Sequence, residues 1–258
     1  MTVPRNASGW SQAWANSGPP QEYITRPSEF FPFFAHYLPR ADSGPPVDFL
    51  ELGCYPGRFL YLFAKEFGYS VHGVDFMPEA AAIPGWLADL GVAAEVFVED
   101  LFTFQPGRTY DVVASFGFVE HFPNWEEVMD RHLALMAPGG YLVIEFPNFR
   151  RGQYYLRRLL KPDFLDGHFL EAMDLDQWRR ALESRGLEIL YCDYFQTFRI
   201  WSNLAGGALA RWGRKLVFKV CKKIAKAIDR LRVNYPNKYF SPFAIIIARR
   251  GEGGVPSH

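Results

Sequence analysis

Residues 47–60 read VDFLELGCYPGRFL, a short apolar run followed by a turn that contains two glycines. The run has the length of a strand buried on both faces of a sheet, and the residues after the turn continue in a helical pattern. Glycine allows the backbone to approach a ligand closely, and the first turn of a helix offers N–H groups without intrahelical partners. The stretch predicts a strand, a turn and a helix that fit a nucleotide-like ligand, although such turns also arise for steric reasons alone.

Strand-like and helix-like segments alternate after this turn. The predicted helices are 58–67, 78–90, 124–136 and a later one near 174–185. The predicted strands are 47–52, 70–75, 94–98, 110–116, 140–146, an extended run at 187–195 and a final strand at 243–248. This alternation predicts an α/β fold with a mainly parallel sheet, helices on both faces and a ligand at the carboxyl ends of the strands.

Acidic side chains stand at the ends of two predicted strands. Asp75 closes the second strand in VHGVD, where a carboxylate accepts hydrogen bonds from both hydroxyls of a ribose. Glu99 follows the third strand in VFVED, where it either accepts from an adenine amino group or faces solvent. These positions indicate a nucleoside-binding edge of the sheet.

The ordered features ELGCxxG, VxGVD, EDL, YDVV and PGGYL resemble those of the class I S-adenosylmethionine-dependent methyltransferases. The resemblance covers residues 47–148 and continues more weakly to residue 249. It implies a Rossmann-like, doubly wound sheet of seven strands, mainly parallel with an antiparallel last strand. It also implies methyl transfer with S-adenosylmethionine as the cofactor.

The resemblance carries over to individual cofactor-binding positions. It implies contacts to the methionine part from Glu51, Gly53, Cys54 and Gly57, to the ribose from Asp75, and to the adenine from Asp100 and Leu101. Tyr55, Phe76 and Ser115 complete the predicted set. Tyr55 departs from the family pattern, which usually has glycine there, so its side chain is expected to narrow or cover the cleft.

A hydroxyl acceptor is a weak nucleophile while protonated, so a positioned base accelerates its methylation by about 10²-fold or more. His121, His168 and Glu120 are the candidate bases. Each has a structural alternative: His121 as a tie between its loop and a carbonyl, His168 as a surface histidine, and Glu120 as a solvated acid. No compact set of metal ligands stands near the strand ends, so no metal is expected.

Two basic segments leave alternatives open. Residues 147–161 combine arginines and tyrosines that bind a phosphate, a sugar or an aromatic acceptor, or else form an ordinary amphipathic helix. Residues 204–232 combine apolar and basic positions at helical spacing, either for contact with an anionic membrane or for packing on the domain with a solvated basic face. The apolar positions there are Leu209, Trp212, Leu216, Val220, Ile224, Ile228 and Leu231; the basic ones are Arg211, Arg214, Lys215, Lys219, Lys222, Lys223, Lys226 and Arg230.

Composition limits the remaining function classes. Lys and Arg number 28, as do Asp and Glu, so no net charge draws the chain to nucleic acid, which is not an expected partner. Three separated cysteines and the lack of a signal peptide or membrane span predict a soluble, cytoplasmic protein, with peripheral contact to the inner membrane face as the alternative. The predicted organisation is an aromatic, proline-rich cap at 1–46, a methyltransferase domain at 47–249 with a basic helical insertion at about 200–238, and a flexible tail at 250–258.

The expected function is O-methylation of a small-molecule acceptor, either a sugar, an aromatic or quinone-like compound, or a lipid-linked molecule. A nicotinamide-dependent oxidoreductase would also use a glycine turn and an acid after the second strand, but the turn here lacks the third, helix-packing glycine. A non-catalytic binding protein that retains the fold, with Tyr55 closing the cleft, is the other alternative.

Overall fold

Seven strands form one sheet in the computed structural model, which describes residues 19–20, 23–25, 28–41, 45–160, 165, 167–199, 208–231, 233 and 235–252. The strands are β1 Asp48–Leu52, β2 Ser70–Asp75, β3 Ala94–Val98, β4 Tyr110–Phe116, β5 Met136–Pro147, β6 Glu188–Phe195 and β7 Phe243–Arg249. The α-helices among these residues are α1 Phe30–Tyr37, α2 Arg58–Phe67, α3 Ile83–Ala88, α4 Trp125–Ala134, α5 Arg151–Leu160, α6 Leu175–Ser184 and α7 Ala208–Arg230. Short 3₁₀ helices lie at Pro78–Ala82, Val119–His121 and Leu170–Met173.

The strand order is β3-β2-β1-β4-β5-β7-β6. The pairs β1–β2, β2–β3, β1–β4 and β4–β5 are parallel, whereas β7 pairs antiparallel with both β5 and β6. The predicted α/β fold with an antiparallel last strand is therefore confirmed. The chain leaves β1 toward β2 on one side and returns to β4 on the other, so a crevice forms at the carboxyl ends of β1 and β4.

Two predicted element boundaries differ from the structure. The predicted helix 78–90 is interrupted, because Pro84 lacks the N–H that a continuous helix needs and its ring would clash with a carbonyl one turn earlier. The chain forms a 3₁₀ helix and then α3 instead. The predicted helix 124–136 ends earlier, and β5 begins at Met136. At Gly140 a Cβ atom would lie 3.0 Å from the Asp111 carbonyl oxygen, so glycine allows the close approach of β4 and β5.

Helix α1 belongs to the hydrophobic core, although the sequence predicted a cap over residues 1–46. Phe34 is fully buried, and its ring contacts those of Phe63 and Phe116. Phe30 packs edge-on against Phe59. Burial of one phenylalanine side chain contributes about 1.5–3 kcal/mol, so this helix helps to stabilise one face of the sheet. Residues 1–18 of the predicted cap and 253–258 of the predicted tail lie outside the described residues.

Helix α7 has two apolar faces, of which one packs on the domain. Cys221 and Ala225 are buried against Leu160 of α5 and Phe198, with Val217, Phe218 and Ile228 around them. The other face is exposed and includes Leu216, Val220 and Ile224, which are 48–53% exposed, and Leu231 follows the helix at 72%. The predicted apolar stripe is thus mainly the exposed face; the side chains of Leu209, Arg211 and Trp212 lie outside the described ones. Of the helices described, none is long and apolar enough to cross a bilayer.

Candidate active site

A cleft of about 770 Å³ lies at the carboxyl ends of the parallel strands. It receives side chains from the ends of β1, β2, β4 and β5 and from the loops that follow them. Eleven of the thirteen predicted site residues line it: Glu51, Gly53, Cys54, Tyr55, Asp75, Phe76, Asp100, Leu101, Glu120, His121 and His168. The sheet thus brings together residues that are up to 117 positions apart in the chain.

The glycine turn after β1 forms the floor of this cleft. Gly53 has φ +73°, and its N–H donates to the Val74 carbonyl (2.9 Å). A Cβ atom at Gly53 would overlap the Phe118 ring, so a side chain at this position cannot be accommodated. Gly57 has φ +88° and precedes α2 without lining the cleft. Its contribution is to the backbone path of the turn rather than to the surface of the cleft.

Asp75 connects two backbone segments at the end of β2. Its Oδ2 accepts from the Tyr55 N–H (3.0 Å), and its Oδ1 accepts from the Met77 N–H (2.9 Å). Burial raises the pKa of this carboxyl, and those two backbone donors oppose the rise. A carboxylate has about four acceptor sites, so lone pairs remain for the two hydroxyls of a ribose.

Glu51 is buried at the end of β1 and also lines the cleft. Its Oε2 has no hydrogen-bond partner among the described residues. Burial, followed by the charge of Asp75, raises the pKa of Glu51 well above its ordinary value. A donor or cation supplied by a ligand would satisfy this oxygen, so the residue fits the amino group of a methionine-like ligand.

Tyr55 lines the cleft without filling it. Its side chain is half-buried, and its ring centroid lies 6.1 Å from that of Trp86. The cleft volume of about 770 Å³ is measured with this side chain in place. Tyr55 therefore narrows one wall but leaves room for a nucleoside-sized ligand.

Ser115 does not line the cleft, contrary to the predicted cofactor-binding set. Its side chain is fully buried on the other face of the sheet, where Oγ lies 2.9 Å from His132 Nε2. The cause is strand geometry, since alternate residues of β4 point to opposite faces. His132 Nδ1 lies 2.7 Å from the Val128 carbonyl, and burial lowers the pKa of this histidine to about 4. His132 therefore has a structural role.

Two histidines meet at the acceptor side of the cleft. The ring centroids of His121 and His168 are 4.6 Å apart, and the His168 ring packs edge-on against Phe149 at 5.0 Å. Burial, followed by the charge of His168, lowers the pKa of His121 to about 4. The neutral ring can donate from Nδ1 to the Gly167 carbonyl 3.2 Å away. This tautomer leaves Nε2 as an acceptor, so the structural tie that the sequence allowed for His121 also orients it as a base.

Glu120 and Glu145 form a second feature of the acceptor side. Glu120 is only 2% exposed, so its predicted alternative role as a solvated acid is wrong. Glu145, from β5, is 5% exposed and also lines the cleft. Burial raises the pKa of Glu145 to about 8. Burial and then the Glu145 charge raise the pKa of Glu120 well above its ordinary value. Sequence reasoning missed Glu145, whose signal is a single acid in the apolar run YLVIEFP.

We expect Glu145 to make the protein less stable as the pH rises from about 6.5 to about 8. The folded state keeps this proton up to a pKa of about 8, whereas an unfolded glutamate releases it near 4.5, so unfolding releases a proton and alkaline pH favours it. The melting temperature of Glu145→Gln should therefore fall less between pH 6.5 and pH 8 than that of the parent. Calorimetry measures both changes. His121 and His132 are partly protonated in the unfolded state near pH 6.5, but the parent and the variant share them, so their contribution cancels in the comparison. Glu99→Gln, at an exposed position, is the control, and equal losses in all three proteins would contradict the assignment.

The segment 147–161 supports the cleft more than it lines it. Arg157 is buried with its guanidinium 4.4 Å from the Phe149 ring centroid, and burial lowers its pKa to about 10. Arg150 forms an ion pair with Asp174 at 2.6 Å. Of the described residues 147–160, Pro147 and Phe149 alone line the cleft. Helix α5 thus packs behind the wall that carries Phe149 and His168.

The described His, Cys, Asp and Glu side chains form no group of three or more that could hold a metal ion. The polar side chains of the described cleft are six carboxyl groups, two histidines, Arg58, Asn124, Tyr55 and Cys54.

Comparison with known proteins identifies relatives of this fold. A family model described as a methyltransferase domain matches residues 22–191. The 2-methyl-6-phytyl-1,4-hydroquinone methyltransferase of Synechocystis sp. is 30% identical over 139 residues, which are 53% of this chain and 42% of that protein. A ubiquinone biosynthesis O-methyltransferase of Xylella fastidiosa is 25% identical over 186 residues, which are 67% of this chain and 72% of that protein. The chain thus spans about two fifths of the length of the Synechocystis protein.

Solved structures show the same fold. A SAM-dependent methyltransferase from Archaeoglobus fulgidus superposes with a TM-score of 0.52 at 21% identity, covering 86% of this chain and 93% of that one. At this identity the likeness concerns the fold alone.

Proposed function

This chain belongs to the methyltransferase domain family, and from that premise we propose that it methylates an oxygen of a small molecule with S-adenosylmethionine as the methyl donor. The observation that carries the proposal is a single cleft whose two ends present different sets of side chains. Asp75 and Glu51 lie at the glycine turn, while His121, His168 and Glu120 lie across from it. A methyl donor and an acceptor require such adjoining sites.

The residues at the glycine turn fit the methyl donor. Asp75 would hold the ribose hydroxyls, Glu51 and Gly53 the methionine part, and Asp100 and Leu101 the adenine. The orphaned Oε2 of Glu51 and the remaining lone pairs of Asp75 support this assignment. When bound, the donor supplies a methyl group on a positively charged sulfur. Ser115 is left out of the set because its side chain lies on the other face of the sheet.

At the opposite end, His121 would accept the acceptor's hydroxyl proton at Nε2. Its depressed pKa of about 4 keeps this nitrogen unprotonated at neutral pH but also makes it a weak base. We therefore expect a rate contribution toward the lower end of the 10²–10⁴-fold range for a positioned base. His168 and Glu120 adjoin His121 and are the alternative proton acceptors.

An aromatic or quinone-like acceptor suits the cleft better than a sugar. Eight phenylalanines line it: Phe59, Phe76, Phe102, Phe116, Phe118, Phe122, Phe149 and Phe243. Such walls bury a planar apolar ring and exclude water. The names of the Synechocystis and Xylella relatives, which refer to a hydroquinone and to ubiquinone biosynthesis, favour the same choice.

Cofactor titration separates this proposal from its alternatives. We expect calorimetry to detect binding of S-adenosylhomocysteine and S-adenosylmethionine but not of NADH. Binding of NADH alone would favour the oxidoreductase, and binding of neither would favour the non-catalytic protein. A mass-spectrometric screen with methyl-labelled S-adenosylmethionine and a panel of phenols, sugars and lipid-linked quinols then identifies the acceptor and the methylated atom.

Helix α7 supports a second proposal, namely that the protein is cytoplasmic and touches an anionic membrane surface. Its exposed apolar face, Leu216, Val220 and Ile224, borders a face that carries Lys219 and Lys223. Two such faces side by side are typical of helices that lie in the lipid headgroup region. This location would place the cleft near a lipid-linked acceptor.

We expect the variant with glutamine at Lys219, Lys222, Lys223 and Lys226 to lose co-sedimentation with vesicles of equal parts phosphatidylglycerol and phosphatidylcholine. Each lysine near an anionic surface contributes about 1 kcal/mol, and added salt should weaken the parent in the same way. The apolar face stays intact in this variant, so Leu216→Gln combined with Ile224→Gln tests that face separately. Cofactor affinity should not change. If the parent does not bind these vesicles and the charge variant turns over its acceptor normally, the membrane proposal is wrong and α7 only packs on the domain.

A further inference from the structure

Two carboxyl groups at the acceptor end of the cleft are buried without being satisfied. Glu120 and Glu145 are each more than nine-tenths buried, and both line the cleft. Glu120 Oε2 and Glu145 Oε1 find no hydrogen-bond partner among the described residues. Buried polar atoms are normally paired, since an unpaired one has lost its water without replacement. The two oxygens therefore indicate a group that a ligand brings.

The two side chains are close enough for their charges to interact, since the Glu145 charge contributes to the raised pKa of Glu120. The Gly117 N–H donates to the Glu145 carbonyl (2.9 Å), and a Cβ atom at Gly117 would lie 3.6 Å from Glu120 Oε1. Gly117 thus brings the Glu120 side chain next to the backbone of β5. Beside it, His121 Nε2 lies 3.6 Å from Glu120 Oε1, so the pair adjoins the candidate base.

The charge around the pair disfavours anions. Of the described residues that line the cleft, six are acidic, and besides the two histidines only Arg58 is basic. Even while burial keeps protons on the pair near neutral pH, a carboxylate or phosphate on the acceptor would be one more anion in the same cleft as Asp75. The cleft excludes water, so such repulsion is strong there. A hydroxyl group would instead donate to a carboxyl oxygen of the pair, or accept from it when the pair holds a proton.

On the basis of the proposed methyltransferase function, we infer that Glu120 and Glu145 recognise the acceptor: they bind a hydroxyl on an uncharged aromatic ring and exclude rings that carry a carboxylate. The phenylalanine walls hold the ring, and the carboxyl pair selects its polar group. Glu145 is then a residue that determines specificity, and its position on a central strand fixes its side chain with little freedom to adapt.

The test compares two probes that differ in one group, 1,4-hydroquinone and 4-hydroxybenzoate, with S-adenosylhomocysteine bound. Ligand-observed NMR competition measures both dissociation constants. We expect the parent to prefer hydroquinone by about tenfold or more, because the acidic cleft repels the carboxylate and offers it no cationic partner at the pair among the described residues. Glu145→Gln keeps the shape and offers an amide N–H to a carboxylate, so this preference should fall by about fivefold or more. 4-Hydroxybenzylamine, which is cationic, is the third probe, and a preference for it over hydroquinone would overturn the selection of an uncharged hydroxyl.

Two variants keep the outcome interpretable. Glu120→Gln should reduce the preference as well, which covers the case in which Glu145→Gln fails to fold. Glu183→Gln, at an exposed position of α6 outside the cleft, should leave it unchanged. Loss of S-adenosylhomocysteine binding by the parent would contradict the proposed function. The inference is wrong if the parent binds that cofactor but not hydroquinone. It is also wrong if the parent and both pair variants show the same preference for hydroquinone over 4-hydroxybenzoate. In both cases the proposed function stands.

Discussion

Asp75→Ala should weaken S-adenosylmethionine binding by about tenfold or more while the protein stays folded. The expectation follows from two losses, since the carboxylate is a charged acceptor for both ribose hydroxyls and each such bond is worth about 1.5–3 kcal/mol at most. The structure adds a further reason. The same carboxylate accepts from the Tyr55 and Met77 backbone N–H groups, so its removal also loosens the turns that shape the cleft.

Calorimetry with Asp75→Ala, Asp75→Asn and Asp100→Ala separates these effects. Asn retains one acceptor oxygen and the side-chain shape, so it should bind more tightly than Ala. Asp100→Ala, at the predicted adenine position, should be milder, because Asp75 would hold two ribose hydroxyls at once. The Asp100 side chain also accepts from the nearby Phe102 N–H (2.9 Å). Unchanged affinity in a folded Asp75→Ala protein would rule out the ribose assignment.

His121→Ala should lower turnover by about 10²-fold with cofactor affinity unchanged, because a base acts on the acceptor and not on the methyl donor. The parent's turnover should vary little between about pH 6 and pH 8, since the pKa of His121 is about 4 and its Nε2 stays unprotonated throughout. Single-turnover rates with the identified acceptor, together with cofactor calorimetry, provide the measurement.

His168→Ala is the matched comparison, because its ring packs on His121 and on Phe149. If His168 only positions His121, its removal should cost less than removal of His121 and should shift the acidic limb of the pH profile. A larger loss in His168→Ala would transfer the role of base to His168. Full activity in both variants would show that the base is another residue or is not needed.

The sequence was sufficient for the sheet because its buried strands are short apolar runs whose ends carry recognisable glycines and acids. The sequence was insufficient where tertiary contacts determine which side chains face the cleft. Glu145 sits in a run that reads as a uniformly buried strand, and only the neighbouring Gly117 and Glu120 reveal that its face of β5 borders the cleft. The prediction that Ser115 binds the cofactor was wrong, because the pleat of β4 turns this side chain toward α4 and away from the cleft.

Helix α7 shows a second limit of sequence patterns. Periodicity identifies apolar positions, but it does not state which of two adjacent faces meets the domain. The packed face uses Cys221, Ala225 and Ile228, which are mostly small or partly covered, whereas the larger Leu216 and Ile224 remain exposed. Hydrophobicity alone would have predicted that the face with Leu216 and Ile224 is the buried one.

The position of β7 also determines when the sheet can be completed during synthesis. This strand lies between β5 and β6 and pairs with both, and its residues 244–248 are fully buried. Until the ribosome has released residues 243–249, β5 and β6 each present an unpaired edge, and the α6–β6 unit has no neighbouring strand to join. Unpaired edges and exposed apolar strands promote association between nascent chains. Chaperone demand should therefore persist until β7 has emerged, and a truncation shortly before β7 would leave the edges of β5 and β6 without the strand that joins them.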